Sequence, residues 1–383
     1  MTSVRWILEE GRILPNLGAV IEGLATRLVA GGMPLARFGL HMRALHPQVG
    51  GMRVLWSAGE PVSETLYARD VATSEAFARS ALAACYASGE PVRRRLEGPA
   101  ADFDFPILQE LRAEGLTDYL IMPVRFANGE NHAASWASRT PGGFGNADMA
   151  AIAALMPALT AVIETHHARR TTATLLETYL GREAGRRVLM GSIQRGDGET
   201  IAAALFYCDL RDFTMLSDQL ERDQVLDLLD DYFGCMAGAI EAGGGEVLKF
   251  IGDAMLAIFP MRDDLDRDRA CLAALAAGER ALADIDRVNR ERQIAGKPGI
   301  AAGIGLHAGP VLYGNIGAPA RLDFTVIGPA VNLVTRIESL CRGLGRPLLA
   351  SARFASPCGS RLVSLGRHAL KGVAEPEEIF ALP

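Results

Sequence analysis

The stretch that most constrains the fold is Glu246–Phe259, which has the pattern of two short apolar strands joined by a tight turn just before Asp253. Because side chains alternate along a strand, Val247, Lys249 and Ile251 are predicted to share one side. That arrangement places a lysine among apolar neighbours. Taken alone, the pattern also fits an ordinary hairpin with a solvated lysine and aspartate.

A second aspartate, Asp209, ends the apolar segment that begins at Ile201. In a β-α-β-β order the first and third strands can be neighbours, so Asp209 and Asp253 are expected at one rim of the same sheet. Two carboxylates at that position suit one or two Mg²⁺ ions, which keep waters and also bind phosphate oxygens. An isolated pair of aspartates fits a structural or capping role as well.

A polar pair, Asn332 and Arg336, lies in the segment that follows Gly328-Pro329. Proline suits the first turn of a helix, and residues four apart share a helix face. Arg336 suits a phosphate that gains charge during a reaction, and Asn332 suits hydrogen bonding to a ribose. The alternative is a solvated helix face with an ordinary arginine.

The composition is that of a soluble globular protein, with 49% hydrophobic and 22% charged residues among 383. A net charge of -6 argues against nucleic acid or an anionic membrane as the main partner. The six cysteines are scattered without a CxxC pair, so neither zinc nor a disulfide framework is expected. Glu9 and Glu10 stand where a signal peptide would be apolar, and Met149–Ile163 is too short to span a bilayer. We therefore expect a cytoplasmic protein in which that apolar stretch is a core-facing helix.

The length fits two domains and a connector: residues 1–165, 166–198 and 199–383. The first is predicted to be α/β, and the connector is predicted to be a charged helix over 166–187 with a thin apolar seam. In the first domain we expect the following elements: helices over 14–29 and 74–88, strands over 36–43 and 51–57, a loop over 91–104, a hairpin of 117–126 with 132–137 that turns at Asn128-Gly129, and a closing helix with Asn146 as its N-cap.

The third region is predicted to be α+β, with a ferredoxin-like β-α-β-β-α-β sheet that carries its helices on one face. The expected elements are a strand over 201–209, helices over 214–220 and 225–240, the hairpin, a helix over 264–292, a strand pair of 300–309 with 310–316, a helix over 329–341, and short strands near Leu362 and Ile379.

The first domain is similar to a GAF domain, a small sensor fold. The similarity rests on Leu120–Gly129 and on Phe144–Asp148 before a helix. It implies a regulatory domain with a possible small-molecule effector. His41 and His46 are candidate cofactor ligands, although surface or packing roles suit them better.

Residues 199–383 resemble the catalytic domain of class III nucleotide cyclases. Four segments carry the resemblance, in the family's order and spacing: Phe206–Thr214, Lys249–Asp253, Thr325–Arg336 and Leu370–Gly372. The resemblance implies an adenylate cyclase that converts ATP to 3′,5′-cyclic AMP and pyrophosphate. It also implies a homodimer with two equivalent sites, since one subunit supplies the metal aspartates and the other the base, ribose and phosphate residues.

The implied roles fall on seven residues. The resemblance assigns two Mg²⁺ or Mn²⁺ ions to Asp209 and Asp253, adenine reading to Lys249 and Thr325, the ribose to Asn332, the transferring phosphoryl group to Arg336, and the outer phosphates to Lys371. Catalysis would consist mostly of positioning and charge neutralisation.

Two positions depart from the commonest family pattern. Thr325 stands where many members have aspartate, as in a largely bacterial subgroup, and Asp212 stands where many have glycine. The extra carboxylate of Asp212 is expected to weaken triphosphate binding or to change the metal preference, and so to affect the rate more than the kind of reaction. A guanylate cyclase is the alternative enzyme, but members of that kind usually carry glutamate where this chain has Lys249. A non-catalytic cyclase-like module is the alternative outside enzymes, and such modules usually lack a metal aspartate or the arginine.

Overall fold

The computed structural model describes residues 2–46, 48–98, 103–261 and 264–383, without the side chains of Ala72, Asp264 and Leu265. Its internal contacts divide the chain into two compact units, Met1–Leu175 and Leu176–Pro383. The division falls within one long helix.

The first unit is built on an antiparallel six-stranded sheet in the order β3-β2-β1-β6-β5-β4. Its strands are β1 Arg37–Arg43, β2 Val49–Ser57, β3 Ser63–Ala68, β4 Val92–Arg95, β5 Asp118–Arg125 and β6 Asn131–Ser138. Its helices are α1 Ser3–Glu9, α2 Leu17–Ala30, α3 Glu75–Ala78, α4 Ala81–Ser88, α5 Ile107–Ala113 and α6 Asn146–Leu180, with 3₁₀ turns at Gly11–Ile13 and Arg69–Thr73.

The two faces of this sheet carry separate apolar layers. One layer joins the sheet to α1, α2 and α6, with Phe38 stacked on Trp136 at its centre. The other joins the sheet to α4 and α5 through residues such as Cys85 and Leu111. The mixed helix and strand content predicted for this region is confirmed, but the sheet is antiparallel, whereas the α/β class has mostly parallel strands. The GAF-like character of the unit stays a prediction.

The turn at Asn128-Gly129 is confirmed, because it joins the paired strands β5 and β6. The pair of residues nearest the turn is Arg125 and Asn131. Three other predictions were wrong. The predicted loop over 91–104 contains the edge strand β4, where Arg93 pairs with the buried Asp118 at 2.6 Å; residues 99–102 of that segment lie outside the described residues. The predicted helix over 74–88 is two helices, because Ser80 caps α4 by accepting from the Ala83 N–H. Asn146 is the first residue of its helix rather than the residue before it.

The closing helix and the connector helix, predicted separately, are one helix of 35 residues, α6. It ends at Gly181, whose φ of 89° is in the region that favours glycine. By length and composition alone α6 is apolar enough to cross a membrane. Its residues Ile152, Leu159 and Ile163, however, are buried in the core of the first unit, as expected for a core-facing helix.

The second unit contains an eight-stranded sheet in the order β13-β14-β12-β10-β7-β9-β8, with β11 paired to β10. Its strands are β7 Gly198–Leu210, β8 Glu246–Ile251, β9 Ala254–Met261, β10 Ala302–Ala318, β11 Arg321–Ile327, β12 Leu348–Ser351, β13 Val363–His368 and β14 Glu377–Ala381. Its helices, after the end of α6, are α7 Arg182–Leu189, α8 Phe213–Gln219, α9 Arg222–Ala242, α10 Asp264–Ile294, α11 Pro329–Leu344 and α12 Ala352–Ala355, with a 3₁₀ segment at Ser356–Arg361.

The order β8-β9-β7-β10 is that of a ferredoxin-like sheet, so the predicted topology is confirmed, including the first and third strands as neighbours. The predicted strand pair over 300–316 is a single strand, β10, whose hairpin partner β11 was missed. Helices cover both faces rather than one. α9 and α10 pack on the face that carries Phe206, whereas Ala184 of α7 and Val334 of α11 pack with Leu205 on the opposite face.

Candidate active site

The two predicted metal aspartates lie side by side. Asp209 is the penultimate residue of β7 and pairs with Ala254, the first residue of β9. Asp253 directly precedes Ala254, after a turn in which Gly252 has a φ of 64°. Burial, and then the charge of Asp253, raises the pKa of Asp209 against the opposing effect of two arginines. Two hard carboxylate donors that repel each other at a half-buried sheet rim fit divalent cations of the magnesium type.

Lys249 does not share a face with Val247, although the alternation of side chains had predicted that it would. β8 has a bulge between Val247 and Lys249, so Val247 is opposite Ala257 but Lys249 is opposite Leu256. Those two residues of β9 belong to the apolar layers on opposite sides of the sheet. The bulge therefore turns Lys249 towards the side that carries α11.

The ammonium group of Lys249 has a partner that sequence reasoning missed, Asp323 of β11. Lys249 Nζ donates to Asp323 Oδ2 at 2.8 Å, and the lysine side chain stays 30% exposed. Thr325, two residues further along β11, is buried, and its hydroxyl has no hydrogen-bond partner in the described part of the chain. A buried hydroxyl without a partner is costly, so this position is suited to a ligand that hydrogen-bonds to it. The only sequence signal for Asp323 was its place two residues before Thr325.

The helix α11 begins after Gly328, whose φ of 146° favours glycine, with Pro329 in its first turn. Asn332 is exposed and Arg336 is half-buried on it, as the spacing predicted. A β-carbon added to Gly372 would lie 3.6 Å from the guanidinium nitrogens of Arg336. The structure thus brings Arg336 next to the turn that carries the exposed Lys371.

The predicted residues fall into three groups: the aspartate pair, the base group and the α11 group. The members, in that order, are Asp209 with Asp253, Lys249 with Thr325, and Asn332 with Arg336 and Lys371. Over residues 2–46, 48–98, 103–261 and 264–383, no hydrogen bond or ion pair joins one group to another, and the side chains of the α11 group have no such partner.

A buried ion pair beside Asp209 was not foreseen. The Arg211 guanidinium crosses β10 at Gly303, where a β-carbon would collide with it, and its Nη2 lies 2.7 Å from Glu338 Oε1 of α11. Burial raises the pKa of Glu338 to about 7, with Arg211 opposing and Asp209 and Asp253 adding to the rise. This pair connects the end of β7, where Asp209 lies, to the helix that carries Arg336.

Asp212 is the one residue other than glycine with a positive φ, 60°, among the described residues. Its carboxylate forms an ion pair with Arg342, near the end of α11. An αL conformation explains why glycine suits this position, and aspartate tolerates it better than most residues. Its effect on triphosphate or metal binding stays a prediction.

The known proteins that this chain resembles are nucleotide cyclases. Residues 198–373 match the family described as the adenylate and guanylate cyclase catalytic domain. An adenylate cyclase of Anabaena cylindrica is 38% identical over 162 residues, which is 41% of this chain and 31% of that protein. The structure of a bacterial light-regulated adenylyl cyclase has 26% identity and a TM-score of 0.50, and the match covers 58% of this chain and 63% of that one. The guanylyl cyclase Cya2 has 31% identity and a TM-score of 0.43, with 48% of this chain and 93% of that one covered.

The second unit therefore carries a nucleotide cyclase catalytic domain. Specifically, it is a class III adenylate/guanylate cyclase domain, as its motifs predicted. The chain spans 31% of the Anabaena relative and 26% of adenylate cyclase 1 of Rhizobium meliloti, so the similarity to these curated proteins concerns one domain of each.

Proposed function

We propose that this chain is an adenylate cyclase that converts ATP to 3′,5′-cyclic AMP and pyrophosphate, with two divalent metal ions, Mg²⁺ or Mn²⁺, at each site of a homodimer. The observation that carries the proposal is the adjacency of Asp209 and Asp253 at the rim formed by β7 and β9. When bound there, divalent ions would supply Lewis acidity and neutralise phosphate charge.

The preference for ATP rests on the base group. The ammonium of Lys249 has three N–H donors, and Asp323 accepts from it at 2.8 Å, so donors remain for a ring nitrogen of adenine. The hydroxyl of Thr325, which has no hydrogen-bond partner among the described residues, can donate to or accept from the base edge. A guanine edge presents donors where adenine presents an acceptor, which a lysine cannot satisfy.

The α11 group handles the ribose and phosphates. Asn332 hydrogen-bonds to the ribose and so orients the 3′-hydroxyl in line with the α-phosphorus. The O3′–Pα bond forms as the bond from Pα to the bridging oxygen breaks. Pyrophosphate takes the leaving electron pair, and the proton of the 3′-hydroxyl is released to water. Arg336 stabilises the charge that develops on the phosphoryl oxygens, and Lys371, next to Gly372, holds the outer phosphates.

A homodimer is proposed because one chain carries both half-sites of the family pattern, and C2 symmetry yields two equivalent composite sites.

We further propose that residues 1–165 regulate the catalytic unit, in the cytoplasm, through α6. Within the second unit, α6 is followed by α7, whose first N–H groups at Glu183 and Ala184 donate to the Glu246 carboxylate at 3.0 and 3.4 Å. Glu246 begins the strand that carries Lys249, so a displacement of α7 acts directly on that strand.

The proposal is tested by incubating the purified protein with Mn²⁺ or Mg²⁺ and either ATP or GTP, and identifying the cyclic product by mass spectrometry. Cyclic AMP is expected from ATP, with much slower formation of cyclic GMP from GTP. A predominance of cyclic GMP would make the chain a guanylate cyclase. No cyclic product with either nucleotide and either metal would support the non-catalytic module.

A further inference from the structure

The first unit contains a cavity of about 580 Å³ that the cyclase reaction does not use. It lies on the sheet face that carries α4 and α5, with β1 and β2 as its floor and Tyr67 of β3 at one side. Its volume is in the range of small-molecule sites. Val71, 39% exposed, and Ala76, also exposed, lie among its lining residues and mark an opening to solvent.

The charged side chains that line the cavity are all positive. Arg37, Arg43 and Arg53 line it, and none of the lining residues in the described part of the chain is an aspartate or glutamate. Arg37 is compensated by Glu114, outside the lining, at 3.0 Å. Arg43 lies over the ring of Tyr86 at 5.2 Å. The lining therefore offers positive charge without an anion of its own.

Arg53 is the least satisfied of the three arginines. Its Nη2 donates to Thr65 Oγ1 at 3.4 Å, and its guanidinium lies 5.9 Å from the centre of the Tyr67 ring. Its Nε is buried and has no hydrogen-bond partner among the described residues. A guanidinium that is partly desolvated without a counter-ion is unfavourable, and an anion that enters the cavity removes that penalty.

The rest of the lining is mainly apolar, with Leu55, Phe77 and Leu111 among its members. His41 faces the cavity opposite Arg53 in the β1–β2 register, and it hydrogen-bonds to Ser135 at 2.9 Å. Burial, then the charges of Arg53 and Arg37, lowers the pKa of His41 to about 3, so the histidine is neutral at physiological pH. The arginines alone supply the positive charge.

We propose that this cavity binds a small molecule with an apolar body and one carboxylate, with Arg53 as the group that pairs with the carboxylate. The planar fork of a guanidinium matches a carboxylate, and the apolar walls fit a hydrocarbon or aromatic body better than a sugar. One charged group suffices because Arg37 is paired with Glu114 and Arg43 is exposed to solvent. The binding does not depend on the activity of the second unit.

Decanoate and 1-decanol are a matched pair of probes, since they share the apolar body and differ in charge. Titration calorimetry on the full-length protein is expected to show that decanoate binds at least about tenfold more tightly than 1-decanol. The reason is that a charge-assisted hydrogen bond contributes about a factor of ten or more to the affinity. Arg53→Met is expected to weaken decanoate binding about tenfold and leave 1-decanol unchanged. Arg12→Met, at an exposed arginine outside the lining, is expected to change neither.

Val71→Trp provides a steric test at the opening, where it should weaken both probes alike. Circular dichroism and tryptophan fluorescence check that each variant folds; if Arg53→Met does not fold, the comparison of the two probes on the wild type and on Val71→Trp decides the question. The proposal would be overturned if decanoate did not bind, if the two probes bound with equal affinity, or if inorganic phosphate displaced decanoate. It would also be overturned if a folded Arg53→Met bound decanoate like the wild type.

Discussion

The buried carboxyl of Glu338 gives a quantitative test of the structure around the aspartate pair. Its pKa rises from 4.5 to about 7 on folding, mainly through burial. Between these two pH values the native chain keeps a proton on Glu338 that the unfolded chain has released. The native state then binds more protons than the unfolded state, so stability falls as the pH rises through this window.

The size of the effect follows from the shift. Each pKa unit corresponds to ~1.4 kcal/mol, so the whole window accounts for ~3 kcal/mol of unfolding free energy. Glutamine cannot titrate, so Glu338→Gln should remove this contribution to the slope. The variant also alters the contact with Arg211 at every pH, so the informative quantity is how the difference in unfolding free energy between wild type and variant changes with pH. We expect the unfolding free energy of the variant to rise by ~3 kcal/mol relative to that of the wild type from pH 4.5 to pH 7.

Urea unfolding followed in parallel by two signals measures this effect. The three tryptophans, Trp6, Trp56 and Trp136, all lie in the first unit, so a transition seen by far-ultraviolet circular dichroism but not by tryptophan fluorescence belongs to the second unit. Glu375→Gln, which changes an exposed carboxylate, is the control and should follow the wild type at every pH. The reasoning would be refuted if the difference in unfolding free energy between the wild type and Glu338→Gln stayed constant across this pH window. Glu338 would then titrate alike in the folded and the unfolded chain.

Three further predictions address the catalytic unit and its regulation. Asp253→Ala should abolish turnover without loss of folding, and mixing it with Arg336→Ala should restore part of the activity in heterodimers; no rescue despite demonstrated subunit exchange would contradict shared sites. The double variant Lys249→Glu with Thr325→Cys should shift the ratio of cyclic AMP to cyclic GMP towards cyclic GMP, since a carboxylate accepts from the guanine N–H groups; good turnover with unchanged ATP selectivity would mean that the base is read elsewhere. Insertion of one residue after Thr174 rotates the C-terminal end of α6 by about 100° relative to its N-terminal part and should change turnover in the dimer; unchanged turnover would make α6 a passive tether.

Much of the candidate site was visible in the sequence because it depends on local pattern. The apolar segment that ends at Asp209 and the Gly252 turn before Asp253 each predicted a strand end, and the β-α-β-β order made those ends neighbours. The spacing of Asn332 and Arg336 placed both on one helix, and Pro329 located its first turn. These are properties of chain segments a few residues long, and the backbone preferences of such segments act without the rest of the molecule.

Other features depend on contacts between residues far apart in the sequence, and only the tertiary structure decided them. The bulge in β8 turned Lys249 away from the face of Val247, which strict alternation had predicted it to share. The pairing of β11 brought Asp323 to Lys249 from 74 residues away. Strand register and bulges are set by packing on both faces of the sheet, which no single segment encodes. The same holds for Glu338, because its burial and its arginine partner exist only once α11 has packed against β10. The sequence by itself determined which chemical groups are present and on which elements they lie. Packing determined which of them meet and which, like the hydroxyl of Thr325, have no partner in the part of the chain that the structure describes.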